Sequence, residues 1–350
     1  MTMHEALTAP AALGGGAAVL AFDVGGSDTK SAIIDATGLV HGLRRTPTPR
    51  DGDDPAGALL RHVGEIAASY ALDFPGITPV AAGLLVPGLV DDDAGVGVLA
   101  TNLGWRDVPF RDDAERMLGL PVAFSHDVRG AGEAEFRLGA ARGHRDVAVL
   151  VVGTGIAGAF FVDGQVQVAG GYAGEIGHSI ILPGGPPCPC GGRGHLEAVA
   201  SAGAIVRRYA ERSGEQVDGA RAVLERARAG DAHAAAVWDE AVDGLALGLA
   251  QVVALLAPEA IVVGGGLAQA GDALFAPLAE RLDALLTFHR RPLLLPAQIG
   301  GDAGLLGAAL RARDLVDPQA ASARPIARHQ ATSAGAAASG SASGAVGGQS

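Results

Sequence analysis

The chain is poor in cysteine, aromatic residues and basic charge. Its 350 residues include 2 cysteines, too few for a disulfide framework to organise a fold of this size. Lys and Arg total 26 against 38 Asp and Glu, a formal net charge of −12, and aromatic residues make up 4%. Because no basic stripe is present to neutralise phosphates along a polymer, we expect no nucleic-acid partner.

Long hydrophobic runs are also missing. The two most apolar segments, 147–162 and 245–257, fall short of the roughly 18 uninterrupted residues that a membrane span requires, so we expect no membrane insertion. No Lys or Arg precedes Lys30, which is not the pattern of a secretory signal peptide. A hydrophobic content of 49% is typical of a globular protein. With its cysteines expected to be reduced, the protein is predicted to be cytoplasmic.

The two ends of the chain differ from the middle. Residues 1–16 and the Ala/Ser/Gly-rich segment 317–350 lack periodic large apolar residues, so we predict two disordered tails. Between them, short β-like runs alternate with helical patterns, which is typical of α/β architecture. The β-like runs are 17–23, 80–86, 122–125, 147–152 and 261–263, and the clearest helical patterns are 54–70 and 231–256.

Two glycine turns have similar surroundings. A β-like run leads through Gly25-Gly26-Ser27 into a second β-like run, and the same arrangement recurs around Gly153-Thr154-Gly155. Such turns predict two related lobes, and their bare backbone N–H groups suit a phosphate. Asp23, beside the first turn, would repel phosphate unless Mg²⁺ lay between them. The alternative is that both glycine turns only make tight hairpins.

The second turn belongs to a dinucleotide-like motif. Residues 153–158 match G-x-G-x-x-G, which would indicate a Rossmann dehydrogenase if a helix opened at the turn. The β-like run 159–162 follows instead, so we disfavour that reading. A third cluster, Gly264-Gly265-Gly266, follows an apolar run and offers bare backbone for a flat ring.

Both cysteines lie in one loop with two histidines. Cys188 and Cys190 are one residue apart, and His178 and His195 flank them. A disulfide between such close positions would be strained, whereas two thiolates and two imidazoles suit tetrahedral zinc. The alternative is a Gly/Pro-rich surface loop with two idle thiols.

Together these motifs resemble the ROK family of repressors, open reading frames and kinases, over residues 17–315. The most specific match is Gly-Glu-x-Gly-His at 174–178 followed by Cys-x-Cys-Gly-x-x-Gly at 188–194. The resemblance implies a two-lobed, actin-like (ribonuclease H-like) ATPase/sugar kinase fold with a loop-bound structural zinc. By this similarity the N-terminal lobe spans 17–125 and receives a returning helix at about 302–315, while the C-terminal lobe spans 126–301.

The resemblance also implies an activity, namely ATP-dependent phosphorylation of a hexose, glucose foremost, by a homodimer. Asp127 matches the general base, and a helix is expected to follow it at 128–138. The implied sugar contacts are Asn102, Asp127, Glu175, His178 and Glu197. The implied ATP contacts are Gly25, Gly26, Ser27, Thr29, Lys30, Gly153, Thr154, Gly155, Gly264, Gly265 and Gly266, with Mg²⁺ at Asp23 and Zn²⁺ at His178, Cys188, Cys190 and His195.

Two alternatives remain open. One is a kinase of this family for fructose, N-acetylmannosamine or another hexose, and the other is a sugar-responsive regulator. The regulator is disfavoured because only about 16 low-complexity residues precede the first β-like run, too few for a helix-turn-helix domain.

Four residues depart from the usual family pattern. His195 replaces a third zinc cysteine, and Asp28 replaces a lysine for which Lys30 could substitute. His126 and Arg129, on either side of the expected base, also differ from the family's usual residues. The last two changes leave the identity of the sugar open.

Overall fold

The computed structural model describes residues 13–50 and 52–318. Its strands, in chain order, are β1 (Val19–Val24), β2 (Asp28–Ile34), β3 (Val40–Pro47), β4 (Ala81–Val86), β5 (Leu89–Asp91), β6 (Val96–Ala100), β7 (Trp105–Val108), β8 (Val122–His126), β9 (Val147–Val152), β10 (Ile156–Val162), β11 (Gln165–Val166), β12 (Ala260–Gly264) and β13 (Leu293–Pro296). The α-helices are α1 (Pro55–Asp73), α2 (Phe110–Leu118), α3 (Asp127–Arg137), α4 (Leu196–Ala200), α5 (Ala202–Ser213), α6 (Gly219–Arg228), α7 (Ala232–Leu256), α8 (Asp272–Leu285) and α9 (Ala303–Val316).

The two longest helices begin at acidic caps, as their sequences predict. Asp54 accepts a hydrogen bond from the backbone N–H of Gly57 at 2.8 Å, and a proline follows at the first helical position of α1. Asp231 accepts from the N–H groups of His233 and Ala234 at the start of α7. That helix ends at Ala257, whose left-handed backbone (φ 45°) precedes a proline.

Two five-stranded mixed sheets share one topology. The first has the order β3-β2-β1-β4-β8 and the second the order β11-β10-β9-β12-β13. In each, the first three strands in chain order pair antiparallel and the last two add in parallel. This correspondence agrees with the two related glycine turns, which join β1 to β2 and β9 to β10. A separate three-stranded antiparallel sheet contains β5, β6 and β7.

Helices α3 and α9 pack on each other between the two large sheets. Their backbones approach so closely that a Cβ on Gly307 of α9 would lie 2.0 Å from the carbonyl oxygen of Gly130 in α3. Apolar residues of α9 such as Leu305 and Ala309 share a core with β1, β2 and β4, whereas a Cβ on Gly132 of α3 would meet Ala159 of β10. The helix pair therefore connects the first sheet to the second.

The predicted tails lie largely outside the described residues. Residues 13–16, which the sequence places in the N-terminal tail, are described and bonded. Gly16 donates to the carbonyl of Ala36 at 3.0 Å, and Arg313 of α9 donates to that of Gly14 at 2.7 Å. No helix in the described part of the chain is both long and apolar enough to cross a membrane.

Candidate functional site

A cavity of about 290 Å³ lies where β1, β9, α3 and α9 meet. Asp23 and Asp127 line it together with the Gly264–Gly266 cluster that follows β12. The structure thus gathers residues from three separate motifs of the sequence. A larger cavity of about 550 Å³ lies between the loop at 181–186 and helices α5 and α7, but it is lined by none of the predicted site residues.

Asp23 lies at the end of β1 on the floor of this cavity. Burial raises the pKa of its carboxyl to about 6, against the nearby positive charge of Lys30, and the Asp302 carboxylate raises it further. Lys30 also donates a hydrogen bond to the carbonyl of Gly301. The lysine thus bridges the first glycine turn and the segment that enters α9.

Asp127 is the first residue of α3 and not its N-cap, which is His126. Its Oδ1 accepts a hydrogen bond from the N–H of Val128 at 2.7 Å and lies 3.2 Å from Nε2 of His126. Burial raises the pKa of Asp127 to about 7, with a further increase from Asp23. A carboxyl with a pKa near neutrality is suited to accept a proton during a reaction.

His126 itself is kept neutral. Burial lowers the pKa of its imidazole to about 3, and the positive charges of Arg129 and Arg311 lower it further. Its Nδ1 is buried without a hydrogen-bond partner. An uncharged ring therefore lies beside Asp127.

Of the predicted sugar contacts, Glu175 lies close enough to Asp127 to interact with it electrostatically, and the others approach the two glycine turns or the cysteine loop. Burial raises the pKa of Glu175, which interacts electrostatically with both Asp127 and Glu197. Glu197, in α4, accepts a hydrogen bond from the N–H of Ile156 at 2.8 Å, directly after the second glycine turn. Asn102 approaches the first glycine turn, because a Cβ on Gly26 would lie 3.2 Å from its side-chain nitrogen.

Both phosphate-loop candidates are hairpin turns. Gly25 donates to the carbonyl of Asp28 and Gly153 to that of Gly155, each at 2.9 Å. Thr29, predicted to contact ATP, is fully buried, and its hydroxyl pairs with that of Thr48 at 3.0 Å. Its side chain therefore supports the first turn from beneath.

The four predicted zinc ligands converge. One ligand atom from each of His178, Cys188, Cys190 and His195 lies within 4.8 Å of the others. Sγ of Cys188 is 3.8 Å from Nδ1 of His178, and Sγ of Cys190 is 3.3 Å from Nδ1 of His195. These values bracket the ~3.5 Å sulfur–nitrogen separation expected around tetrahedral zinc. The donor set and its spacing fit zinc.

Sequence reasoning missed two parts of this region. The cavity is also lined by Gly300, Gly301 and Gly304, before and at the start of α9. The sequence did not indicate them, because short Gly-Gly pairs are common in this glycine-rich chain. A buried ionic network joins Asp92, Arg129 and Arg311 beneath the site. Its members are too far apart in sequence for spacing to indicate it.

The fold and the cavity define a class of protein. It is a mixed α/β protein with duplicated sheet topology, in which two buried carboxylates and the Gly264–Gly266 cluster line one cavity. The sequence profile of the ROK family matches residues 19–314. The chain belongs to the ROK family.

Known proteins of this family are similar along most of their length. The glucokinase of Halalkalibacterium halodurans is 33% identical over 312 residues, covering 81% of this chain and 92% of that protein. The crystal structure of a ROK hexokinase from Thermus thermophilus superposes with a TM-score of 0.76 at 33% identity, covering 86% of this chain and 99% of that one. A ROK family glucokinase from Streptomyces griseus, in complex with glucose and AMPPNP, gives a TM-score of 0.73 at 30% identity, covering 85% and 99%.

Proposed function

We propose that this chain is an ATP-dependent hexokinase that phosphorylates glucose to glucose 6-phosphate. The observation that carries the proposal is the Asp127 carboxyl, which has a pKa of about 7 and shares one cavity with Asp23 and the third glycine cluster. The similarity to glucokinases and to a glucose-bound ROK structure supports glucose as the substrate.

Asp127 acts as the general base. Its two closest polar contacts, with Val128 and His126, both involve Oδ1, so we assign Oδ2 as the oxygen that accepts the hydroxyl proton of the sugar. Proton acceptance frees the sugar oxygen to attack the terminal phosphorus of ATP. Because Asp127 lies in the first turn of α3, the positive end of the helix dipole stabilises its carboxylate.

The sugar is held by Asn102, Glu175, His178 and Glu197. Each offers an acceptor or donor for a buried hydroxyl, which would otherwise lose its hydrogen bonds to water. Glu197 also bonds to the strand after the second glycine turn, so the sugar and nucleotide subsites share one support.

The nucleotide lies along the glycine turns. Gly25 and Gly153 close the two turns, and the backbone N–H groups that follow them, at Gly26–Ser27 and Thr154–Gly155, bind its phosphates. Lys30 offsets the phosphate charge, and Gly264–Gly266 receives the adenosine. Asp23 is the residue that would hold Mg²⁺, whose charge would counter that of the phosphates. The single carboxylate of Asp23 fits this ion, because Mg²⁺ commonly binds through one or two carboxylates plus phosphate oxygens of the substrate.

Zinc is structural in this proposal. His178 presents Nδ1 to Cys188, while its Nε2 lies 3.7 Å from a carboxylate oxygen of Glu175. A bound zinc would fix the imidazole and, through it, the sugar-binding carboxylate.

We also propose a cytoplasmic homodimer.

A coupled assay with a panel of hexoses and ATP tests the proposed function. We expect the highest kcat/KM with glucose. A higher value with fructose or N-acetylmannosamine would keep the reaction and change the substrate. No phosphorylation of any hexose, with sugar binding retained, would favour a sugar-responsive regulator.

A further inference from the structure

Arg129 is an almost completely buried cation in the first turn of α3, two residues after Asp127, with 1% of its side chain exposed. A buried charge is costly unless it is paired and hydrogen-bonded. Neither the proposed chemistry nor the phosphate turns use this arginine. Its position therefore calls for a role of its own.

The guanidinium contacts two separate segments, the end of β5 and the loop before Glu175. Nη2 pairs with the Asp92 carboxylate at 2.7 Å and also donates to the carbonyl of Val90 in β5, while Nη1 donates to the carbonyl of Ala173 at 3.5 Å. The two NH2 groups of the guanidinium point in different directions, so this one side chain bonds to both segments at once.

Both segments lead directly to proposed sugar contacts on opposite elements. Strand β5 pairs with β6, and Asn102 lies in the turn between β6 and β7. Ala173 directly precedes Gly174 and Glu175. The same loop touches β5 at Gly171, whose φ of 94° and close approach to the carbonyl of Val90 leave no room for a Cβ.

Asp92 extends the network to the base. Its Oδ2 accepts hydrogen bonds from the hydroxyl of Ser125 at 2.5 Å and from Arg311 of α9 at 3.2 Å. Ser125 lies two residues before Asp127 on β8. One buried ion pair thus contacts the strand that ends at the base, the small sheet and the Glu175 loop.

We infer that Arg129 is a positioning residue that fixes the spacing between the Asn102 side and the Glu175 side of the sugar site. The inference rests on the proposed function. Arg129 touches backbone carbonyls behind these residues and acts through them. A displacement of about 1 Å in such a support is enough to lower the efficiency of a site by up to 100-fold.

Arg129→Met tests the inference, with Arg313→Met as the matched control. Arg313 is also a buried arginine that donates to backbone carbonyls, but its partners are Ala17, Gly14 and Asp35, away from the cavity. For Arg129→Met we expect the glucose KM to rise by roughly tenfold or more while the ATP KM changes less than about twofold. For Arg313→Met we expect a lower Tm with both KM values within about twofold of wild type.

Arg129→Lys provides a second test if the methionine variant does not fold. Lysine keeps the charge and the pairing with Asp92 but loses the fork, so we expect part of the glucose affinity to be retained, with a KM roughly threefold above wild type. A glucose KM unchanged in Arg129→Lys, or raised no more in Arg129→Met than in Arg313→Met, would overturn the inference.

Glucose binding measured by calorimetry without ATP separates this inference from the proposed function. If the wild type binds glucose but does not phosphorylate it, the proposed function is contradicted. In that case, weaker glucose binding by Arg129→Met than by Arg313→Met still supports the positioning role of Arg129. A wild type that binds no glucose overturns both.

Discussion

Replacing Asp127 by asparagine should abolish the reaction and stabilise the fold. Asparagine keeps the size of the side chain but cannot accept the hydroxyl proton, so we expect kcat to fall by roughly 100-fold to 10,000-fold. In the wild type, kcat/KM should decline as pH falls below about 7, because the base becomes protonated through its pKa of about 7.

The stability change follows from the same pKa. Burial and the Asp23 charge raise the pKa of Asp127 from 3.8 to about 7. The folded protein therefore binds this proton more tightly than the unfolded chain, and the resulting stability is lost as pH rises from about 4 through 7. Full burial would make the cost of ionisation at pH 8 about 4 kcal/mol. Because 26% of the side chain is exposed and water screens part of the charge, we expect about 1–2 kcal/mol.

Thermal unfolding at pH 8 and pH 5 measures this difference. Asp127→Asn should melt a few degrees above wild type at pH 8, and the gap should narrow at pH 5. The exposed Asp53→Asn variant removes one negative charge from the surface and serves as the control. The reasoning would be refuted by a variant that keeps more than about a third of wild-type kcat, or by one that is less stable than wild type at pH 8.

Three further results are expected. Gly304→Ala would place a Cβ 2.4 Å from the Asp23 carboxylate. Because this displaces Asp23, we expect the ATP KM to rise by roughly tenfold. Unchanged ATP kinetics would show that Asp23 is not at the nucleotide site. His195→Ala should lower zinc content measured by elemental analysis and raise the glucose KM more than the ATP KM, whereas full sugar kinase activity of the wild type after chelation would exclude a zinc requirement. MgATP should raise the Tm and NAD should not; equal stabilisation by NAD would reopen the dehydrogenase reading.

Local sequence patterns predicted the central strands of the two large sheets and the two longest helices. The apolar runs around β1, β4, β8, β9 and β12 are short and bounded by turn residues, which indicates buried strands without further information. Asp54 and Asp231 marked the starts of α1 and α7 for the same reason, since capping is a local interaction. The four predicted zinc ligands lie within 18 residues of each other, and the structure brings their ligand atoms together, so their spacing was informative as well.

Features that depend on distant pairing were not predicted. The β5–β7 sheet is built from strands of three to five residues, too short for a periodic signal. Asp92, which follows β5, and Arg311 of α9 are 219 residues apart, so only tertiary packing brings them together. Thr29 was grouped with the phosphate turn because of its position, but the alternation of β2 directs its side chain into the core.

The central claim is that Asp127 activates a sugar hydroxyl for phosphoryl transfer from ATP. Incubation of the purified protein with glucose and MgATP, followed by ³¹P NMR of the products, tests it most directly. We predict that glucose 6-phosphate and ADP form in equal amounts with the wild type and that almost none forms with Asp127→Asn. Release of inorganic phosphate without any sugar phosphate, or equal product formation by the two proteins, would contradict the account.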